Sequence, residues 1–403
     1  MTHIVVIGAG QAASSLIGTL RTKGFDGAIT LVGAEPVPPY QRPPLSKGYL
    51  LGDVARDRLF LRPASWWDDH DVTLKLGTPA SDIDTAARTV RVGDETLSYD
   101  QLAICTGLVP RALPADLGGA LDGVHTVRSL ADVDAMADPL KAARRLLVVG
   151  GGYIGLEAAA VARKLGVEVT LVEAAPRILS RVAADETAAY FRDLHRGHGV
   201  HLVEGASLAR LEGETRVTGA VLADGRRIDC DIAIVGIGLL PRCAIAEAAG
   251  LDVDGGVAVD DRGRTSDPRL WAAGDCAALP LPGGRMRIES VGNAIDMGAA
   301  VAANMLGADA AYDPKPWFWS DQYDVKLQIA GLNTGHDRVV VRPGARDGEG
   351  SHWYFAGDRL LAVDAMNDAR AYMIGKRLIE AGRSADPEIL ADPAADLKAL
   401  LRA

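Results

Sequence analysis

The feature that most constrains this chain is a pattern that occurs twice. "VVIGAGQAASSLIGTLRTKG" runs from Val5, and "LVVGGGYIGLEAAAVARKLG" runs from Leu147. In the first copy, His3 to Ile7 is apolar at four positions of five and reads as a buried strand. Gly8-Ala9-Gly10-Gln11-Ala12-Ala13 follows, then a helical pattern through Lys23, then the apolar run "AITLVG", then Glu35. The second copy repeats the order: "RRLLVV", Gly150-Gly151-Gly152-Tyr153-Ile154-Gly155, the helix "LEAAAVARKLG", and the strand "VEVTLVE" closing on Glu173. Both read as strand, glycine turn, helix, strand, acid.

That order has a chemistry. The first glycine, Gly8 or Gly150, makes the tight turn, and the second, Gly10 or Gly152, lets the backbone approach a pyrophosphate. The third small residue, Ala13 or Gly155, lets helix and strand pack closely. The bare N–H groups and dipole of the helix then hold phosphates, and the closing acid takes the ribose hydroxyls. A carboxylate at Glu173 repels a 2′-phosphate and favours NADH over NADPH, whereas Arg177, four residues on, works the other way. Each copy is followed by alternating strands with Gly-Asp or Asp-Gly hairpin signals, "ARTVRVGDETLSYDQLAICTG" and "TRVTGAVLADGRRIDCDIAIVGIG". A whole dinucleotide-binding domain is therefore expected twice. From about Trp317 the pattern changes to a small sheet followed by an amphipathic helix near Asp368 to Ala381.

The 403 residues, 48% of them hydrophobic, suffice for two or three cores. No apolar run reaches the ~20 residues that a membrane span needs, and "MTHIVVIG" carries no basic leader. The expectation is a soluble, cytoplasmic chain with no membrane association. A net charge of −10 argues against nucleic acid as a partner. The four cysteines, Cys105, Cys230, Cys243 and Cys276, show neither C-x-x-C nor metal-ligand spacing, so no metal is expected.

Further stretches carry a resemblance. "YQRPPLSKGYL" from Tyr40, "CTG" from Cys105, "GGGYIGLEAA" from Gly150, "WAAGDCA" from Trp271, "RIESVGNA" from Arg287 and "PWFWSDQYDVKLQIAGL" from Pro316 resemble the FAD-dependent pyridine-nucleotide reductases. Among them the chain is similar to the NADH-dependent ferredoxin reductases of the putidaredoxin reductase type, which feed oxygenases and cytochromes P450. The resemblance implies a glutathione reductase-like α/β fold. Residues 1–109 and 240–316 would form a split FAD domain, 110–239 an NAD domain, and 317–403 a small α+β domain. The first glycine turn would then serve FAD and the second NADH.

The resemblance also assigns residues. Gly8, Gly10, Ala13, Glu35, Arg42, Lys47, Thr106, Gly107, Arg111, Arg128, Asp275, Val291 and Trp319 would serve FAD. Gly150, Gly152, Tyr153, Ile154, Gly155 and Glu173 would serve NAD. Lys47 would stabilise charge on the reduced ring, with Glu157 as its counter-ion. The helix begun by "ESVGNA" would point its N-terminus, through Val291 and Gly292, at the same ring, with Glu289 nearby. Disulfide reductases of the superfamily carry cysteines beside the flavin, but "PPLSKGYLL" has none. Hydride would pass from NADH to FAD, and electrons would leave singly to a [2Fe–2S] ferredoxin serving a cytochrome P450 or a Rieske oxygenase. Lys315, Arg338, Arg342, Arg370, Lys376 and Arg377 are candidates for a basic docking patch. A rubredoxin reductase or an NADH oxidase is the alternative. A regulatory flavoprotein resembling apoptosis-inducing factor is a further one, disfavoured by the acidic charge.

Overall fold

Strands His3–Ile7 and Arg145–Val149 are the centres of two five-stranded parallel sheets. A computed structural model describes residues 2–281 and 283–402 of the chain. The first sheet runs Leu270–Ala272, Gln101–Ile104, His3–Ile7, Ala28–Gly33, Val72–Leu76. The second runs Val124–His125, Ile232–Val235, Arg145–Val149, Glu168–Glu173, His201–Glu204. The order is the same in both, except for the origin of one edge strand. In the first sheet that edge is the last strand in sequence, and in the second it is the first. The strands are continuous apolar runs because helices or further sheet cover both faces of a parallel sheet; Ile4, Val5, Val6, Leu146, Leu147 and Val148 are all fully buried.

The expected hairpins are present. Val92 pairs with Glu95 around Gly93-Asp94, and the Gly219–Leu222 strand turns through Asp224-Gly225 into Arg227–Asp229. The chain divides into two compact units. One comprises the chain up to Gln41, Arg56–Val109 and Leu239–Pro316; the other comprises Arg42–Ala55, Pro110–Gly238 and the chain from Trp317 onward. The segment Arg42–Ala55, expected within the 1–109 part, thus groups with the second unit. In the first unit, helix Val291–Met305 packs against helix Gln11–Thr22. The contact is close because position 298 is glycine: a Cβ there would lie 2.5 Å from the Ala12 carbonyl oxygen.

From Trp317 an antiparallel five-stranded sheet forms in the order Trp317–Gln322, Val325–Gly331, Arg359–Met366, Gly350–Ala356, Arg338–Pro343. Helix Ala369–Glu380 covers one face, burying Leu378 and Ile374 against Trp353, Phe355 and Val363. Its N-terminus is capped by Asp368, which accepts the Ala371 N–H. Arg342 corrects an expectation. It is 8% exposed and cannot belong to a docking patch. Its guanidinium instead donates to the carbonyls of Leu390, Asp392, Pro393 and Ala395, fastening the C-terminal segment to the sheet. Arg370 and Arg377 are exposed, Lys315 is paired with Asp313, and Lys376 is paired with Glu380.

Replacing Arg342 strands several carbonyls at once. Arg342→Met is expected to destabilise this part of the chain by about 2 kcal/mol, and Arg342→Lys, which lacks the planar fork, recovers less than half of it. Thermal unfolding of the three proteins checks this; equal midpoints contradict it.

Candidate functional site

Both glycine turns are built to one plan. Gly8 has φ +107, and a Cβ there would lie 2.2 Å from the Cys105 carbonyl oxygen. Gly150 has φ +109, and its Cβ would lie 2.3 Å from the Gly236 carbonyl oxygen. Each is a left-handed, crowded position that only glycine fills without strain. The second glycine is the opposite case: around Gly10 and around Gly152 a Cβ would meet nothing within 4 Å. Each is the N-cap residue of its helix, with no side-chain cap and no acidic residue in the first turn. The helix N–H groups therefore face open space, which is what a pyrophosphate requires. The residues fit a dinucleotide in both places.

The third position separates the copies. Gly155 has no room for a methyl group, since its Cβ would lie 2.1 Å from the Gly150 carbonyl oxygen. Ala13 is accommodated and fully buried. The closing acids differ too. Glu35 accepts the Tyr40 hydroxyl at 2.6 Å. Glu173 accepts the N–H of Gly151 at 2.6 Å and that of Ala175 at 2.7 Å, which fixes the carboxylate at the mouth of its own glycine turn. Arg177 does not oppose it: its guanidinium is bound to Asp185 at 2.5 Å and to the Ala183 carbonyl at 2.9 Å.

Other expected residues of the first unit cluster by strand ends. Thr106 and Gly107 follow the strand Gln101–Ile104, with the Thr106 hydroxyl donating to the Arg242 carbonyl and the Arg242 N–H donating to Gly107. Asp275 lies in the turn Gly274–Cys276 after Leu270–Ala272. Ser290 caps the helix Val291–Met305 by accepting the Asn293 N–H, placing Val291 and Gly292 in its first turn. Glu289 is paired with Arg287 at 2.9 Å.

In the second unit the expected pair is formed. Glu157 lies on helix Tyr153–Lys164, 3% exposed in a stretch otherwise made of glycine, leucine, alanine and valine. A carboxylate there is costly without partners, and it has three. Lys47 Nζ lies at 2.8 Å and the Ser46 hydroxyl at 2.5 Å from Oε2, and the Ser320 hydroxyl lies at 2.6 Å from Oε1. Lys47 also donates to the Pro43 carbonyl. Arg42 donates to the Arg128 carbonyl at 2.7 Å, and Arg128 N–H to Asp132. Arg111 is exposed and tied through its backbone to Gly238. Trp319 stacks on Trp317 with ring centres 5.5 Å apart. Tyr153 packs on Phe318, its buried hydroxyl lacks a hydrogen-bond partner among the described residues, and burial pushes its pKa well up. Ile154 follows it in the same helical turn. Ser46, Ser320 and the small residues Ala12 and Gly298 were not singled out by sequence reasoning. The pattern Ser-Lys at 46–47 was the available signal for the first.

Two dinucleotide cradles and a lysine–carboxylate pair, with all four cysteines free and buried, define a flavin and nicotinamide oxidoreductase that lacks the usual dithiol. Residues 2–298 match the pyridine nucleotide-disulphide oxidoreductase family, and residues 317–401 match the reductase C-terminal family. The chain belongs to the pyridine nucleotide-disulphide oxidoreductases, and it uses FAD and a nicotinamide dinucleotide. It is 43% identical over 399 residues to rhodocoxin reductase of Rhodococcus erythropolis, covering 98% of this chain and 93% of that one. It is 40% identical over 410 residues to a ferredoxin–NAD(P)(+) reductase of Sphingomonas sp, covering 98% and 97%. The crystal structure of the covalent putidaredoxin reductase–putidaredoxin complex superposes with a TM-score of 0.96 at 38% identity, covering 100% of this chain and 98% of that chain. Among the described residues, no helix is long and apolar enough to cross a membrane.

The two kinds of glycine separate folding from binding. Gly8→Ala forces a methyl group against a carbonyl at positive φ, at a cost on the order of 2 kcal/mol, and is expected to lower the thermal midpoint of the apoprotein. Gly10→Ala points into open space and should leave the apoprotein midpoint unchanged while FAD content falls at least tenfold. Equal effects of both changes on the apoprotein contradict the assignment.

Proposed function

We propose that the chain is a cytoplasmic NADH-dependent ferredoxin reductase, passing electrons from NADH through FAD to a [2Fe–2S] ferredoxin that serves a cytochrome P450 or an oxygenase. The observation that carries this is the segment Pro43–Leu51, which supplies Ser46 and Lys47 to a buried carboxylate and contains no thiol. Without a dithiol relay, electrons have to leave for a separate carrier. The printed names of the relatives, rhodocoxin reductase and ferredoxin–NAD(P)(+) reductase, agree with a small redox protein as that carrier.

FAD, when bound, supplies a ring that accepts a hydride from NADH and releases electrons one at a time. The chain's own residues do the rest. The first glycine turn, through Gly8, Gly10 and Ala13, holds one pyrophosphate, with Glu35 at the ribose. Thr106, Gly107, Arg111, Arg128, Asp275 and Trp319 are the residues that would complete the FAD contacts, and Arg42 holds the 42–55 segment to the Arg128 carbonyl. Lys47, kept in place by Glu157, is the charge that would stabilise a reduced flavin, and the partial charge of the helix end at Val291 would act in the same sense. The second turn, through Gly150, Gly152 and Gly155 with Tyr153 and Ile154, holds NADH. Glu173 stands where a 2′-phosphate would go, and Arg177 is already committed to Asp185.

Two measurements test this reading. Aerobic NADH consumption by the purified holoenzyme should be slow alone and rise at least tenfold with a [2Fe–2S] ferredoxin, with stoichiometric reduction of that ferredoxin. Raising salt to about 0.5 M should raise its KM more than twofold, since redox encounters are small and charge-steered. Equal rates with and without ferredoxin point to oxygen as acceptor and sink the proposal. Separately, kcat/KM for NADH should exceed that for NADPH by about 100-fold. Glu173→Gln should narrow the ratio roughly tenfold, the equivalent of about 1.4 kcal/mol; a ratio near one in the native enzyme contradicts the role of Glu173.

A further inference from the structure

Behind Glu157 runs a line of buried polar groups that the reaction as described does not use. Ser320 donates to Glu157 Oε1 at 2.6 Å, and Gln322 Nε2 donates to Ser320 Oγ at 3.1 Å. Gln322 Oε1 lies 2.8 Å from His195 Nε2, and His195 Nδ1 lies 3.3 Å from the Tyr323 hydroxyl. Ser320, Gln322 and His195 are fully buried.

The direction of every bond is forced. An ionised carboxylate only accepts, so the single hydroxyl hydrogen of Ser320 goes to Glu157. Ser320 Oγ must then accept, which turns the amide N–H of Gln322 toward it and the amide oxygen toward His195. His195 must carry its hydrogen on Nε2, leaving Nδ1 bare to accept from Tyr323. All four hydrogens point toward Glu157, and aligned bonds of this kind polarise one another in a low-dielectric interior.

The far end is held at a cost. Tyr323 and Asp324 form the two-residue turn between the strands Trp317–Gln322 and Val325–Gly331, and Tyr323 sits at φ +58. Only the first of its two central positions has positive φ, a position that glycine favours, and the left-handed conformation costs a tyrosine roughly 1–2 kcal/mol. What the strained residue gains is visible. Its ring stacks on His198 at 3.7 Å, meets the His195 ring edge-on at 5.1 Å, and brings its hydroxyl to Nδ1. Burial also pushes the His195 pKa down to about 4, consistent with a neutral ring.

We propose that Ser320, Gln322, His195 and Tyr323 are positioning residues: a one-directional hydrogen-bond chain that holds Glu157 as a fixed carboxylate and thereby holds Lys47. Its consequence for turnover rests on the role given to Lys47 and Glu157 above; its direction does not. No proton need travel along it, since the Gln322 amide interrupts any relay.

The test is nitrogen NMR of holoenzyme labelled at histidine, with the His195 signals assigned by their loss in His195→Gln. The native protein should show hydrogen on Nε2 alone. In Glu157→Gln the new amide must turn its oxygen to the Lys47 ammonium and its N–H to Ser320. The whole chain then reverses, and His195 should switch to hydrogen on Nδ1. The same tautomer in both proteins, or a mixture in the native one, overturns the proposal. Gln322→Met keeps length and volume but breaks the chain. It should lower kcat about tenfold with KM for NADH within twofold, as loss of a supporting partner does. Ser320→Thr, which keeps the hydroxyl, should be closer to native than Ser320→Ala. Native turnover in Gln322→Met overturns the positioning role. Failure of the ferredoxin reading would appear separately, as no stimulation by ferredoxin with the tautomer switch intact.

Discussion

A carboxylate buried in an alanine-rich helix must be given donors, and much of the second unit is arranged around supplying them to Glu157. Ser46 and Lys47 come from a segment more than a hundred positions earlier in the chain, and Ser320 comes from the sheet that begins at Trp317. An unpartnered carboxylate there would cost several kcal/mol. Meeting that cost ties together three stretches that sequence alone separates: Arg42–Ala55, the helix after the second glycine turn, and the C-terminal sheet. With the bonds from Arg42 to the Arg128 carbonyl and from Tyr49 to Asp134, it binds Arg42–Ala55 to Pro110–Gly238 and the chain from Trp317, with which that segment groups.

The duplicated sheet solves a different problem. Each copy presents a helix end with uncapped N–H groups to open space, and each closes its tight turn with a glycine at positive φ where a Cβ would strike a carbonyl. At the glycine turns the copies diverge in the third small residue and in the closing acid. Ala13 fits where Gly155 is obligatory, and Glu173 braces its own turn through Gly151 whereas Glu35 is held by Tyr40. One scaffold is thus built twice, its copies distinguished by a few side chains at the strand ends.

Legibility in the sequence followed the range of the interaction. The glycine turns, the Gly93-Asp94 and Asp224-Gly225 hairpins, and the helix near Ala369–Glu380 are local, and their patterns are set by residues within a few positions of one another. Lys47 and Glu157 are far apart in the chain, and their pairing is legible only through the family resemblance. Ser320 and Gln322 lie in a stretch that carries the resemblance, but their line to Glu157 through the fold, with His195, is not legible there, because a serine or glutamine on a strand reads as solvent-facing until the opposing helix is placed. Arg342 shows the converse. In a run of charged and apolar residues it reads as surface charge, and only the returning C-terminal segment, which supplies four carbonyls, makes its burial favourable.

The two cradles should hold different dinucleotides at the same time. The direct measurement is equilibrium binding of NAD+ to the purified yellow protein, with flavin in the filtrate followed alongside. One tightly held FAD per chain is expected, with one NAD+ site per chain that fills without releasing flavin. Displacement of FAD by NAD+, or the absence of a second site, would contradict it.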